Sequence, residues 1–221
     1  MPRDSAETIQ AETLLQAYSL GYFPMAQSRK DAQVVWVLPD ERGVLLLDQA
    51  RAPKKLQRLI KRVPFEVRIN TAFNEVMVAC AAPGPGREET WINDAIFDVY
   101  GKLHELGIAH SVECYQDHNL VGGLYGVALG GIFCGESMFS RQTNASKVAM
   151  LHLITRLKLG GFRILDTQFY TEHLAQFGIE EISNDDYQQL LATHLTDKTD
   201  FLKAPAYCSA ETVLQSITQM S

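Results

Sequence analysis

The segment Ile164-Leu165-Asp166-Thr167-Gln168-Phe169 sets an acid and an amide two positions apart. On a strand that spacing projects both side chains from one face, where an acid with a hydrogen-bonding partner could take a proton from an attacking nucleophile. A mutually satisfied structural network is the alternative. In Phe133-Cys134-Gly135-Glu136-Ser137-Met138-Phe139-Ser140 a lone carboxylate interrupts an apolar strand. Burying a charge is costly unless it is paired, so Glu136, sharing a face with Cys134 and Met138, calls for a cation such as Arg141 or Lys147, or for a polar ligand. Trp36 and Trp91, the only tryptophans, sit beside loop-like sequence. There an indole could stack on a nucleobase, worth about 1 to 3 kcal/mol, or pack into the core. Arg51 to Arg62 holds six basic residues and no acidic one. Such density of one sign suits phosphate binding, although a solvated helix face has the same pattern.

Other chemistries find less support. There is no GxSxG elbow, and Cys134 and Ser137 have no histidine close in sequence, so a nucleophile is not indicated. Cys80, Cys114, Cys134 and Cys208 form no CxxC pair, and the six histidines fall in no HExxH or HxxxH arrangement, so neither a metal site nor a redox dithiol is expected.

These residues must be positioned by elements that periodicity foretells. Ala11, Leu14, Leu15 and Tyr18 predict a helix capped by Gly21. Val34 to Val37 and Val44 to Leu47 read as strands around a Pro39-to-Gly43 turn. A helix after Pro53 would bury Leu56, Leu59, Ile60 and Val63 and turn Lys54, Lys55, Arg58, Lys61 and Arg62 outward. A strand at 65–69, a helix at 72–80, a Pro-Gly loop at 82–86 and a helix capped by Asn93 or Asp94 and ended by Gly107 follow. Strands at 109–115, 120–129 and 132–138, joined by short turns, predict an antiparallel meander. Asn144 caps an amphipathic helix stopped at Gly160-Gly161; a strand at 162–170, a short helix at 171–177, a strand at 179–182 and a helix from Asn184 complete the order. The whole reads as α+β with a mixed central sheet: a small N-terminal domain at 1–50 and a larger one at 51–221.

The 221 residues, 46% hydrophobic and 21% charged, can bury a sizeable core. A formal charge of −6 argues against general coating of nucleic acid or anionic membrane. No apolar run approaches the roughly 20 residues of a membrane span, and the polar start, Met1 to Thr13, is unlike a signal peptide. A cytoplasmic location without membrane partners is expected.

Taken together, GYFPMA (Gly21 to Ala26), the Trp36 segment, TWI (Thr90 to Ile92), LHELGIAHSVE (Leu103 to Glu113), LVGGLYGVALG (Leu120 to Gly130), FCGESMFSR (Phe133 to Arg141), NASK (Asn144 to Lys147) and LDTQF (Leu165 to Phe169) resemble the leucyl/phenylalanyl-tRNA–protein transferases. The resemblance implies an enzyme moving Leu or Phe, and less efficiently Met, from aminoacyl-tRNA to the N-terminal Arg or Lys of acceptor proteins, which creates an N-degron. It implies an N-acetyltransferase-like (GNAT) catalytic domain without cofactor or metal. The stretch Ser140 to Asn144 lacks the glycines of an acetyl-CoA loop, so acetyl-CoA is not expected. By the same resemblance, Asp166 and Gln168 manage the amine proton, with Gln168 drawing it and Asp166 as relay or electrostatic partner. Trp36 and Trp91 hold the terminal adenosine, while Leu124, Phe133 and Leu165 line the side-chain pocket. Glu136 fixes the aminoacyl or acceptor end, and Lys54, Lys55, Arg58, Lys61 and Arg62 grip tRNA phosphates. Leu124 stands where some members have Met. An acyl-CoA N-acyltransferase and a non-enzymatic RNA-binding module are the competing readings.

Overall fold

A computed structural model describes residues 8–83 and 89–218. The predicted Pro-Gly loop therefore falls outside the described residues from Gly84 to Gly86. The chain opens with α1 (Ala11–Ser19), then β1 (Phe23–Met25) and β2 (Val35–Val37), which pair antiparallel as a two-stranded sheet. Gly21 ends α1 in a left-handed conformation at φ 88°, a geometry that glycine adopts without steric cost.

There follow β3 (Glu41–Leu46), α2 (Lys54–Ile60), β4 (Glu66–Ile69), α3 (Phe73–Ala81), α4 (Asp94–Glu105), β5 (Ala109–Gln116), β6 (Asn119–Leu129) and β7 (Ile132–Ser140). Then come α5 (Ala145–Gly160), β8 (Ile164–Asp166), α6 (Glu172–Ala175), β9 (Glu180–Ser183), α7 (Asn184–His194) and α8 (Ala210–Thr218). Seven strands form one mixed sheet in the order β4-β5-β6-β7-β8-β3-β9, with β7 and β8 parallel and the other neighbours antiparallel. The predicted meander is present as β5-β6-β7.

Several expectations need correction. Glu41, Arg42 and Gly43 belong to β3 rather than to a turn, and β3 lies between β8 and β9 inside the large sheet. Residues 41–46, expected in the small N-terminal unit, are thus part of the larger one. The strand expected over 162–170 is three residues long. Helix α2 stops at Ile60, and Val63, at φ 46°, is exposed instead of buried. Helix α5 is buried on nearly every side, not amphipathic. Its Arg156 guanidinium donates to the carbonyls of Phe201, Ala204 and Pro205, so the C-terminal segment covers the face expected to meet solvent. Asn144 precedes α5 in a left-handed conformation and makes no side-chain cap, whereas Asn93 caps α4 by accepting from the Ile96 N–H at 2.9 Å.

Two apolar clusters sandwich the sheet. One, around α5, contains Leu45, Leu124, Phe133, Leu153 and Leu165. The other, around α1, α3 and α4, contains Tyr18, Val76, Tyr100, Tyr125 and Cys134. All four cysteines are buried. No helix among the described residues is long and apolar enough to cross a membrane.

Candidate active site

Strands β7 and β8 pair only from Ile132↔Ile164 to Cys134↔Asp166 and then part company. A cavity of about 260 Å³ opens where they diverge. Gly135, Glu136, Ser137 and Met138 form one wall, Leu165, Thr167, Thr171 and Leu174 the other, and Leu124, Met150 and Leu153 close the interior. The lining is mostly apolar, and the volume is below the roughly 300 Å³ at which small-molecule pockets begin. Such a space suits one apolar side chain better than a whole nucleoside.

Glu136 reaches this wall through a β-bulge. Tyr125 pairs with Ser137 and Gly126 with Gly135, so Glu136 is the extra residue. The simple alternation assumed from sequence fails there: Cys134 packs against one core cluster and Met138 against the other. Neither Arg141 nor Lys147 pairs with Glu136. Its carboxylate accepts hydrogen bonds from Tyr18 Oη at 2.6 Å and Tyr100 Oη at 2.9 Å, and the two phenols also bond each other. Burial pushes the carboxyl up to about 7, against the two phenol hydrogen bonds, which favour its ionised form. Tyr18 comes from α1 and Tyr100 from α4, so the N-terminal unit helps to hold a cavity residue.

Asp166 ends β8, is fully buried, and is not a free base. Its Oδ1 accepts from Arg42 Nε at 2.9 Å and from the Gln168 backbone N–H at 2.8 Å. Its Oδ2 accepts from Arg42 Nη2 at 2.6 Å and from Tyr187 Oη at 2.8 Å. These four hydrogen bonds use the usual acceptor positions of a carboxylate. Burial alone would lower the Arg42 pKa, but Asp166 beside it raises it above its ordinary value. Arg42 also donates to the Gly21 carbonyl at 2.8 Å and lies between the Phe23 and Tyr187 rings.

Gln168 does not continue the strand on the same face as Asp166. It sits in a left-handed turn at φ 57°, locked by Asp166 and by donation from the Gly43 N–H to its carbonyl at 3.0 Å. Gly43 is required here: a Cβ would lie 2.6 Å from the Phe169 carbonyl carbon. The Gln168 side chain is buried, and its Nε2 has no partner among the described residues. The Cys134 thiol is pushed far above its ordinary range by burial and by Asp166 and Glu136, which disqualifies it as a nucleophile at neutral pH.

The remaining predicted residues divide among separate places. Leu124, Glu136 and Leu165 line the cavity, but Phe133 does not; it packs against Phe162 and Phe201 in the core, with ring centroids 6.3 and 5.5 Å away. Trp91 lines an open groove of about 500 Å³ together with Met25 and Val35. Trp36, opposite Pro24 in the small sheet, is half-buried but not on that wall. Lys54, Lys55, Arg58, Lys61 and Arg62 are all exposed. Lys55, Arg58 and Arg62 line a third cleft, while Lys54 and Lys61 stand outside it.

Sequence reasoning missed Arg42, Tyr187, Tyr18, Tyr100 and Met25 as parts of these sites. The signal available for the tyrosines was their place on buried helix stripes, which says nothing about where a hydroxyl points.

The family model for leucyl/phenylalanyl-tRNA protein transferase matches residues 44–192, and the model for that family's N-terminal domain matches residues 7–40. The chain belongs to this family. It is accordingly an aminoacyltransferase. It is 50% identical over 211 residues to the leucyl/phenylalanyl-tRNA–protein transferase of Maricaulis maris, covering 96% of this chain and 98% of that protein. To those of Phenylobacterium zucineum and Caulobacter vibrioides it is 53% identical over 216 residues and 49% over 218, covering 96% and 99% of this chain and 98% and 100% of those proteins. A solved structure titled "The structure of L-PGS from Bacillus licheniformis" aligns at 14% identity with a TM-score of 0.38, over 76% of this chain and 56% of that one.

Proposed function

We propose that this aminoacyltransferase takes Leu or Phe, and less readily Met, from aminoacyl-tRNA and joins it to the N-terminal Arg or Lys of cytoplasmic acceptor proteins, creating an N-degron. The observation that carries the reading is the one-side-chain apolar cavity between the diverging β7 and β8, lined by Glu136 and by Leu165 and Thr167, the neighbours of the buried Asp166 in the chain. Parting of two parallel strands beside a long helix also supports an N-acetyltransferase-like catalytic domain.

An aminoacyl ester is already activated, so the reaction needs correct placement rather than ATP, metal or acetyl-CoA. The acceptor's α-nitrogen attacks the ester carbonyl, the C–N bond forms, the C–O bond to ribose breaks, and the proton lost by nitrogen ends on the ribose oxygen. In this reading the transferred side chain fills the cavity against Leu124 and Leu165, and Glu136 holds the α-ammonium of the transferred residue. The Gln168 amide oxygen draws the attacking N–H. Its unpartnered Nε2 fits an amide whose partners arrive with the substrates. Asp166 works as a positioning residue that fixes the Gln168 turn. The groove walled by Trp91 and Met25 receives the terminal adenosine, and the basic face of α2 meets tRNA phosphates.

The test compares donors. Transfer from Phe-, Leu- and Met-tRNA to an Arg-initiated peptide, with none from Glu- or Lys-tRNA, is expected, because an apolar cavity rejects charge strongly but separates apolar side chains by only about 1 to 3 kcal/mol per methylene. Transfer of Glu as readily as Phe would remove the cavity from the account.

A further inference from the structure

The third cleft, about 360 Å³, lies between α2 and the first turn of α5. Lys55, Arg58 and Arg62 enter it from α2 and Lys147 from α5, and no acidic side chain lines it. None of the four forms an ion pair or side-chain hydrogen bond among the described residues. The chain carries 26 acidic residues, so counter-charges were available, yet the cleft gathers like charges that repel one another. Such an arrangement is satisfied by an anion from outside, and the neutral Asn144 and Gln176 on its rim can add hydrogen bonds.

Its position narrows the choice of anion. Gln176 lies two residues beyond Leu174, which walls the aminoacyl cavity. The His173 imidazole, another cavity residue, has its pKa lowered by burial and then by Lys147. The cleft and the cavity are therefore neighbours, the cavity reached by α6 and the cleft by the Gln176 that ends it.

We propose that this cleft binds a phosphate of the donor's single-stranded 3′ end, close to the aminoacyl ester, with Lys147 as a recognition residue alongside Arg58. The proposal rests on the reading of the donor as aminoacyl-tRNA. It changes what the basic residues do: a subset grips the strand next to the reacting ester, and Lys54 and Lys61 remain outside.

The test is equilibrium binding of Phe-tRNA as a function of salt, measured without turnover on the full chain for wild type, Lys147→Ala, Lys147→Arg and Lys102→Ala, the last removing an exposed charge on α4. Loss of one single-strand phosphate contact is expected to weaken binding about fourfold at 0.15 M salt and to reduce the slope of log K against log salt by about 0.7. Lys147→Arg restores both, and Lys102→Ala changes neither. In transfer assays, the advantage in kcat/KM of Phe-tRNA over phosphate-free phenylalanyl-adenosine shrinks in Lys147→Ala, with the change in KM. A wild-type slope in Lys147→Ala, or equal losses with both donors, overturns the proposal. Lys147-dependent tRNA binding in a protein that transfers to no Arg- or Lys-initiated peptide supports the cleft while refuting the acceptor reading.

Discussion

If Asp166 acts by fixing the Gln168 turn, then Asp166→Asn and Arg42→Met must damage the enzyme in the same way. In Asp166→Asn an amide N–H₂ faces Arg42 Nη2 and Tyr187 Oη, or the amide oxygen does and the N–H₂ faces Arg42 Nε and the Gln168 N–H; either way donor meets donor. Arg42→Met leaves a fully buried carboxylate without its cation. Breaking a buried pair from one side costs about 3 to 5 kcal/mol, a large share of the roughly 5 to 15 kcal/mol of a typical domain. Denaturant unfolding at low temperature measures that loss, and the double variant Arg42→Met/Asp166→Leu is expected to lose less than the sum of Arg42→Met and Asp166→Leu each made alone, because the pair is directly coupled. For chemistry, a shift of about 1 Å in a positioned group costs on the order of 100-fold, so single-turnover transfer falls by about that factor in both single variants. Arg42 is not on the cavity wall, so its loss acts from outside the cavity, through Asp166 and the turn together with its contacts to Gly21, Phe23 and Tyr187. An Arg42→Met enzyme with wild-type turnover, beside an Asp166→Asn enzyme of native stability that is slower by a thousandfold, would refute positioning and make the carboxylate a direct participant.

Other predictions follow from the same geometry. Glu136 ionises near pH 7, so kcat/KM should rise with pH across that value if its carboxylate holds an ammonium, and Glu136→Gln should abolish that limb; an unchanged limb removes Glu136 from the profile. Leu124→Trp narrows the cavity and should lower kcat/KM for Phe-tRNA by about 10- to 200-fold, with unfolding measured in parallel to separate misfolding from exclusion. Gly43→Ala places a methyl 2.6 Å from the Phe169 carbonyl carbon, so a cost of about 1 to 3 kcal/mol and a slower transfer step should appear together. The buried imidazoles of His110 and His152 are lowered to about 4 by burial above all. The unfolded chain therefore binds more protons between about pH 6.5 and 4, and stability should fall as pH drops through that window, by up to about 3 kcal/mol per histidine. A flat unfolding free energy across it, or one unaltered by His152→Phe, would contradict their burial as neutral groups.

Much of the architecture was legible because its signals are local. The β5-β6-β7 meander showed in its short turns, and α4 in its Asn93 cap and Gly107 stop. What failed was non-local or a matter of one residue. Arg42 lay in a Pro-Asp-Glu-Arg-Gly stretch that reads as a turn; only its partner 124 positions away makes it an interior strand residue. The bulge at Glu136 shifts the face of a side chain by a single insertion, which alternation cannot reveal. Asp166 and Gln168 were chosen for strand spacing, yet a left-handed turn separates them, and their association runs through the Gln168 backbone N–H. The cleft residue Lys147 was invisible as a phosphate ligand because α2 and the start of α5 meet only in the folded chain.

The most direct test is a single incubation of the purified chain with Phe-tRNA and a peptide beginning with Arg, in chelator and without ATP or CoA, read by mass spectrometry. The account predicts a peptide extended by one phenylalanine through an amide bond to the Arg α-nitrogen, with deacylated tRNA formed in equal amount. Recovery of unmodified peptide alongside intact or merely hydrolysed Phe-tRNA would contradict it.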